Sequence, residues 1–397
     1  MTLAAALVPA AIPALDAQAN LTLPGWVYHD AEFFAVEQRR VLRPAWQIVC
    51  HVSDVAAAGD WHTLDWLGES ILVVRGDDGE VRAFANVCRH RASRLVDGST
   101  GSCRKLVCPY HAWTYELDGR LSGVPARGTY PGLDLAALGL AALDIEIWQS
   151  FVFVRLESGG ASVAEMMAPH LAEILPYRFE ELRALRTVGT RVRHVNWKNL
   201  TDNYSDGLHV PVAHPGLRRL FGPGYGIAAG EHVDRLWGPL VEPGTARSSE
   251  RLYRELLPAV PHLDAQRQSM WLYFKLWPNI AFDIHPDQID FMQFIPVSAT
   301  ETLIREITYA IPDERREMRA ARYLNWRINR MVNAEDAALV ARVQAGMASA
   351  SYTQGPLGET EVCLRSFAKR LRELVPEARL PKAPATGWSG RIPVAVQ

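Results

Sequence analysis

The chain has 397 residues, 48% of them hydrophobic, and its 42 Lys and Arg against 44 Asp and Glu leave a net charge of −2 at pH 7. That composition supports a full core over a length suited to two unequal domains, and it excludes nucleic acid and anionic membrane surfaces as expected partners. The five cysteines (Cys50, Cys88, Cys103, Cys108, Cys363) are too few, and odd in number, for a disulfide framework, and no apolar run reaches the ~20 residues of a membrane span, so a soluble cytoplasmic protein is expected.

The opening MTLAAALVPAAIPALDAQA is apolar, but prolines interrupt it at Pro9 and Pro13 and the first basic residue is Arg39, so it reads as a packing arm rather than a secretion signal. DAEFFAVEQRRV, 30–41, carries apolar residues at helical spacing behind an acidic start and predicts a helix stopped by Pro44. From about 45 to 155 the runs WQIVCHV, WHTLDW, SILVVRG, VRAFANV, RKLVCPYH, WTYELDGRL and FVFVRLE, separated by GD, GDDGE and DG turns, predict a small antiparallel all-β domain. After Ser158-Gly159-Gly160, helical patterns return in VAEMMAPHLAEIL and FEELRAL, RTVGTRVRHVNW reads as a strand, and 197–209 is helix-like. Strands are expected at WLYFKLW, NIAFDI, DFMQFIPV and TLIREITYAI, then one long amphipathic helix from Asp313 to about Ala348. Strands and helices without βαβ alternation predict an α+β fold on an antiparallel sheet, divided as an N-terminal segment 1–44 packing on the larger domain, an all-β domain 45–155, and the larger domain 156–397. The glycine-rich FGPGYGIAAG, 221–230, lacks a following Lys-Ser/Thr and is not expected to cradle phosphate.

Two mixed pairs, Cys88-x-His90 and Cys108-x-x-His111, stand seventeen residues apart. A structural Cys₂His₂ zinc is one reading. Each pair offers one thiolate and one imidazole, however, which suits a binuclear centre whose two irons take the two ligand types separately. With Trp113 and the trailing WTYELDGRL, the motif resembles the cluster motif of the α (terminal oxygenase) subunits of Rieske non-haem iron aromatic-ring-hydroxylating oxygenases and their demethylating relatives. The resemblance implies a Rieske [2Fe–2S] cluster held by Cys88, His90, Cys108 and His111, in an all-β domain inserted into a helix-grip, START-like catalytic domain. Ala92 and Ala112 stand where that family more usually has glycine, and Cys103 has no counterpart there and is expected to be an ordinary loop thiol.

A second constellation lies in NWKNLTDNYSDGLHVPVAHP, 196–215. Asp206 and His209, three apart, would be stacked neighbours on a helix. His209 and His214, five apart, would diverge by about 140° on a straight one. Gly207 and Pro211 predict a helix break between the histidines that lets both face one ion, and two imidazoles with a carboxylate on one face of Fe(II) leave positions for dioxygen and substrate. The pattern Asn196-Trp197-Lys198, Asn203, Asp206, His209, His214 resembles the family's mononuclear iron motif. It implies His209 and His214 as iron ligands and Asp206 as the catalytic bridging carboxylate between His209 and the cluster ligand His111. In NAEDAALVARVQAGMAS the resemblance puts the third ligand at Asp336; Glu335, about 100° around the helix, is the alternative, and at most one of the two is expected to face the iron. Asp283, Asp287 and Asp290 are expected to serve turns or solvent.

The resemblance further implies a homotrimer in which the cluster of one subunit serves the iron of the next. Electrons come ultimately from NAD(P)H through a separate reductase or ferredoxin, and O₂ serves to hydroxylate, dihydroxylate or oxidatively demethylate a small organic substrate, expected to be aromatic. Leu220, Phe221, Trp237, Trp271, Phe274, Trp277, Phe282 and Phe294 are candidates to line the pocket, most of them expected in the core, and Arg218 or Arg219 is a candidate to grip a carboxylate. Asp206 weighs against the betaine-type members, where glutamate is expected. Two rivals remain: a hydrophobic-ligand carrier with a structural zinc domain, and an electron carrier with an inert second domain.

Overall fold

The structure, a computed structural model, describes residues 12–242 and 248–391; the first eleven residues of the expected N-terminal arm lie outside the described residues. The predicted first helix is present as α1 (Ala31–Glu37), where Asp30 caps the helix by accepting from the Phe33 N–H, followed by one wide π turn over Gln38–Leu42.

Ten strands follow up to Arg155. They are β1 (Gln47–His51), β2 (Asp60–Trp66), β3 (Glu69–Arg75), β4 (Val81–Ala85), β5 (Thr100–Ser102), β6 (Leu106–Val107), β7 (Thr114–Tyr115), β8 (Leu121–Gly123), β9 (Asp144–Trp148) and β10 (Phe151–Arg155). All their pairings are antiparallel, in three small sheets ordered β4-β3-β2-β5, β6-β7-β8 and β1-β10-β9. The two Cys/His segments are loops of one shape. Cys88 N donates to Ser93 O and Ala92 N to Cys88 O, while Cys108 N donates to Trp113 O and Ala112 N to Cys108 O. In both loops the fourth residue after the cysteine turns the chain with a positive φ, +58° at Ala92 and +54° at Ala112. Only glycine adopts that region without strain, which is the physical reason glycine is usual there.

Short helices α2 (Val163–Met167) and α3 (Leu171–Ile174) lead into the second half. The expected FEELRAL helix is instead a 3₁₀ turn, Phe179–Glu181, running into β11 (Arg183–Ala184), because Leu182 and the edge of the sheet capture the chain. Then come β12 (Gly189–Arg193), α4 (Trp197–Ser205), α5 (Val210–Ala213), α6 (Pro215–Phe221), β13 (Gly226–Ala228), β14 (Val233–Pro239), α7 (Ser249–Leu256), α8 (Ala265–Gln268), β15 (Met270–Leu276), β16 (Ile280–Ile284), β17 (Ile289–Ser298), β18 (Glu301–Ala310), α9 (Arg316–Met347) and α10 (Val362–Leu374). The strands form one antiparallel sheet, β11-β18-β17-β16-β15-β14-β13, with β12 also on β18. The glycine-rich segment near 226 supplies an edge strand, and α10 lies beyond the reach of the sequence reading.

Strand alternation divides this sheet's side chains. Leu272, Phe274, Leu276, Ile280, Phe282 and Ile284 pack into one core with Phe151 and Phe153 of β10. Tyr273, Asp283, Asp290, Met292, Phe294 and Glu306 face the other way, into a cavity roofed by α4 and α9. The two halves are joined by a buried polar seam: Arg305 of β18 donates to the Ile48 and Val49 carbonyls of β1, and Gln47 and Asn279 bond side chain to side chain.

The N-terminal segment is tied to α4 by a fully buried ion pair, Lys198 Nζ to Glu37 Oε1 at 2.8 Å, with Lys198 surrounded by the rings of Tyr28, Phe33 and Trp197. Burial pushes the Glu37 carboxyl up and the Lys198 amine down, against their mutual attraction. Truncating one partner leaves the other charge buried alone. Glu37→Ala should therefore lower unfolding free energy by about 3–5 kcal/mol in denaturant titration, and the double variant Glu37→Leu/Lys198→Met should recover most of that loss. At the loop turns, Ala112→Gly should be neutral or stabilising by up to about 1 kcal/mol, seen as an unchanged or raised thermal midpoint.

Candidate metal centres and active-site cavity

At the loop tips the thiols of Cys88 and Cys108 are buried. The rings of His90 and His111 lie edge to face, 4.7 Å apart. Both Nδ1 atoms are buried without a hydrogen-bond partner, the condition of imidazole nitrogens aimed at a metal. Trp113 stacks on His90 at 4.8 Å, and the Tyr115 hydroxyl, 3.4 Å from Cys88 Sγ, accepts from Arg89 N. Burial raises the Cys108 thiol, but the Tyr110 and His111 N–H groups, with Cys88 and Ser93, outweigh it and lower the pKa below the ordinary thiol value, favouring thiolate. Asn86, unremarked in the sequence, fixes the first loop by accepting from Leu95 N and Val96 N. Cys103 lies apart, its backbone bonded to Gly59. Two thiols and two free imidazole nitrogens at facing tips fit a binuclear cluster.

The second centre is built from a bent chain. Helix α4 starts at Asn196, whose side chain accepts from Lys198 N, and ends at Asp206. Asp206 then caps a bend: its Oδ1 accepts from Leu208 N and its Oδ2 from His209 Nδ1 at 2.9 Å. One break therefore falls before His209, and a second, between the histidines as expected, falls at His214. Pro211 sits in the first turn of α5, where a missing N–H costs nothing, and the chain leaves helical geometry at His214 itself, with φ −115° and ψ 79°.

His209 Nε2 and His214 Nε2 come within 3.1 Å of each other, and Asp336 Oδ1 of α9 lies 3.1 Å from the latter and 3.5 Å from the former. Three ligands about 2.1 Å from one ion stand about 3.0 Å apart at right angles and about 3.4 Å apart at tetrahedral angles, so these edges are the size of one coordination face. Among the described residues this is the one group of three or more such side chains gathered to hold an ion. Asn203 Nδ2 donates to Asp336 Oδ1 at 3.1 Å. Glu335 does not compete with Asp336: its Oε2 meets His214 Nδ1 at 2.7 Å, on the ring edge opposite the triad. Both acids of the Glu335-Asp336 pair thus engage the site through different atoms, because His214 lies between them.

Burial alone would lower His209, but the carboxylates of Asp206 and Asp336 outweigh it and raise it to about 9; Asp336, though buried, is lowered to about 2 by the two histidines and Asn203. The donor set of two imidazoles and a carboxylate is the facial triad of non-haem Fe(II) sites. Asp206 makes no bond to His111 within the chain; its oxygens are taken by Leu208 and His209.

The triad opens on a cavity of about 440 Å³ that also meets Tyr204, Tyr225, Tyr273, Asp283, Asp290, Phe294 and Glu306. Of the aromatic and aliphatic candidates only Phe294 lines it. Phe274 and Phe282 face the opposite core, and Leu220, Phe221 and Trp271 fill a third cluster behind α6. Asp287 lies in the turn between β16 and β17, as expected, though buried; Asp283, buried on β16, and Asp290, half-buried on β17, instead point into the cavity. Arg219 pairs with Glu250, and neither it nor Arg218 lines the cavity; Arg186, Arg191, Arg193 and Arg330 do.

The chain matches two families, the Rieske [2Fe–2S] domain over residues 45–140 and the ring-hydroxylating α subunit catalytic domain over residues 179–377. It is 30% identical over 341 residues to the carnitine monooxygenase oxygenase subunit of Acinetobacter pittii (strain PHEA-2), covering 83% of this chain and 86% of that one. Over 200 residues it is 36% identical to the glycine betaine monooxygenase oxygenase subunit of Chromohalobacter salexigens, covering 50% of this chain and 44% of that protein. A solved quaternary ammonium Rieske monooxygenase shares its fold with TM-score 0.79 at 24% identity, covering 92% of this chain and 99% of that one, and a naphthalene 1,2-dioxygenase with TM-score 0.73 at 19% identity, covering 92% and 94%. The zinc-domain carrier and simple electron-carrier readings give way to these matches over both halves. The chain belongs to the Rieske non-haem iron oxygenases as a terminal oxygenase subunit, an oxidoreductase of the mono- or dioxygenase class that carries a Rieske [2Fe–2S] cluster and a mononuclear iron and takes its electrons from a partner protein.

Proposed function

We propose that this oxygenase hydroxylates a carbon next to the nitrogen of a small ammonium compound; the C–N bond then breaks with its electron pair going to nitrogen, the new hydroxyl loses its proton, and the carbon fragment leaves as an aldehyde. One C–H bond breaks and one C–OH bond forms; the second oxygen atom of O₂ leaves as water with two electrons from the partner and two protons. The observation that carries this reading is the triad His209, His214, Asp336 at the wall of a cavity that brings tyrosines and the Asp283 and Asp290 carboxyls together, with arginines also in its lining. The relatives named for carnitine and glycine betaine support an ammonium substrate over the aromatic one expected at first, and run against the weight given to Asp206.

Cys88, His90, Cys108 and His111 hold the cluster, and His209, His214 and Asp336 hold the iron. When bound, the cluster relays single electrons and the iron binds and activates O₂. The protein's own part is orientation. Asp206 and Glu335 each take the Nδ1 edge of one histidine, so that both Nε2 atoms face the ion, and Asn203 holds Asp336. Tyrosine and Phe294 faces exclude water from the reacting carbon.

Asp206 further serves as the bridge to His111 of a neighbouring subunit in a homotrimer, with a reductase or ferredoxin fed by NAD(P)H as donor. Exposed apolar residues beside both centres, Leu208 and Val212 near the triad and Val107 and Tyr110 at the cluster tips, support that contact, as does a solved relative described in terms of inter-subunit electron transfer. The division into 1–44, 45–155 and 156–397 belongs to the same reading, supported by sheets that do not pair across residue 155. Five free cysteines support a cytoplasmic setting, and no helix among the described residues is long and apolar enough to cross a membrane.

Anaerobically purified protein should contain about three irons and two acid-labile sulfides per chain; zinc near one per chain without sulfide would overturn the assignment. Asp206→Asn should retain both metals and lose nearly all turnover, and undiminished turnover would remove the bridging role. Glu335→Gln should weaken iron binding by about 10–100-fold in a chelator competition while leaving the cluster spectrum unchanged.

A further inference from the structure

Two carboxyl groups in the cavity have no task in the iron chemistry. Asp283 of β16 and Asp290 of β17 are direct cross-strand partners. Asp283 Oδ1 accepts from the Tyr204 hydroxyl at 2.5 Å, and no hydrogen bond among the described residues reaches its other oxygen. Asp290 accepts from the Thr308 hydroxyl and from Gln288 Nε2 at 2.9 Å.

Among the described residues no Lys or Arg pairs with either aspartate, although Arg186, Arg191, Arg193 and Arg330 line the same cavity. From β18 the charged neighbour is Glu306, itself bridged to Arg191 of β12 at 2.6 Å, and the β16–β17 turn adds Asp287. His285, 3.8 Å from Asp290, is driven to about 3 by burial and stays neutral. Helix α4 offers Tyr204, β15 offers Tyr273, the segment before β13 offers Tyr225, and α9 offers Asn325, Asn329 and Arg330, none of them ion-paired to the aspartates among the described residues. Burial, reinforced by Asp290 and Glu306 at Asp283 and by Asp287 and Glu306 at Asp290, lifts both to about 7. Two facing carboxyls without a paired cation in a partly enclosed cavity are costly to ionise, and a cation brought by a ligand reduces that cost. Tyrosine faces beside them suit an alkylated ammonium, which donates no hydrogen bond.

We propose that Asp283 and Asp290 together form the counter-charge for the substrate's ammonium group, and that the ligand's arrival expels a proton from the pair. The inference rests on the ammonium reading above and adds the residues that impose it. At the rim, Arg186 and Arg330 lean on the Trp326 ring at 5.5 and 5.2 Å without a carboxylate partner among the described residues, so the carboxylate end of a carboxylated ammonium meets opposite charge there.

The test is calorimetric binding to the anaerobic holoenzyme between pH 6 and 8. The probes are glycine betaine and its uncharged-carbon isostere, 3,3-dimethylbutanoate. Only the ionised pair attracts the cation, so betaine binding should tighten as pH rises through 7, by up to about tenfold per pH unit for each proton expelled, and level off above. The isostere should not tighten. The double variant Asp283→Asn/Asp290→Asn, with iron content confirmed, should lose at least about tenfold in betaine affinity at pH 8 together with the pH dependence, and should keep its isostere binding. Betaine affinity and pH profile unchanged in that variant would overturn the assignment while leaving the ammonium reading intact. Failure of the wild-type holoenzyme to bind betaine, carnitine or tetramethylammonium at all would overturn both.

Discussion

The mononuclear site depends on where helix α9 is pinned. Asp336 sits on a 32-residue helix, while the two histidines belong to a short bent segment more than a hundred residues earlier, and nothing local brings them together. Gln344, two turns beyond Asp336, makes the connection. Its Oε1 accepts from Asn196 N at 2.7 Å and from Asn199 Nδ2 at 2.8 Å, at the start of α4, and its Nε2 donates to the Tyr28 carbonyl. Gly25 permits the same approach from the N-terminal segment, since a Cβ there would come within 2.5 Å of the Met347 carbonyl oxygen. With both ends of the α4–α9 contact held, Asn203 and Asp336 meet, and the fold sets the coordination face.

The same logic explains the Asn-Trp-Lys start of that motif. Asn196 caps α4 and donates to the Ala299 carbonyl, Trp197 is wholly buried, and Lys198 joins Glu37. None of these touches the metal face; they fix the helix that carries it. The Arg305 seam does the corresponding work for the all-β half, holding β1 against β18, so that the cluster loops and the iron face are parts of one rigid frame. Buried polar contacts of this kind contribute modestly to net stability and strongly to uniqueness, because each mispaired arrangement would leave a buried donor unsatisfied.

Asp206 and Glu335 divide one role between them. Each holds the Nδ1 edge of a different histidine, which sets the tautomer and leaves Nε2 for the ion. Asp206 keeps about a fifth of its side chain exposed, which is what a contact with another subunit requires, and Glu335 about a third. The acidic pair on the cavity floor is a separate device. It is raised by burial rather than lowered by histidines, and it is suited to choosing the ligand's charge.

By itself the sequence pointed to the candidate donors and to the class of chemistry. Cys88, His90, Cys108 and His111 are legible because each loop is local, with ligand spacing set by a turn of a few residues, and the same holds for Asp206 and His209. The first helix, most strands and the long helix were readable from period and caps. What the sequence misjudged was whatever depends on contacts between distant segments. Pro211 looked like the helix breaker, yet the bend is made by Asp206. Glu335 looked like a rival of Asp336, yet His214 lies between them. Phe274 and Phe282 fell in the core, as most of the aromatic candidates were expected to, but Asp283 and Asp290 looked like turn or solvent residues; which face of a strand meets a cavity is set by the layer packed on the other side, here β10 and its phenylalanines. A two-residue period gives the alternation but not its sign, and only the tertiary structure supplied that.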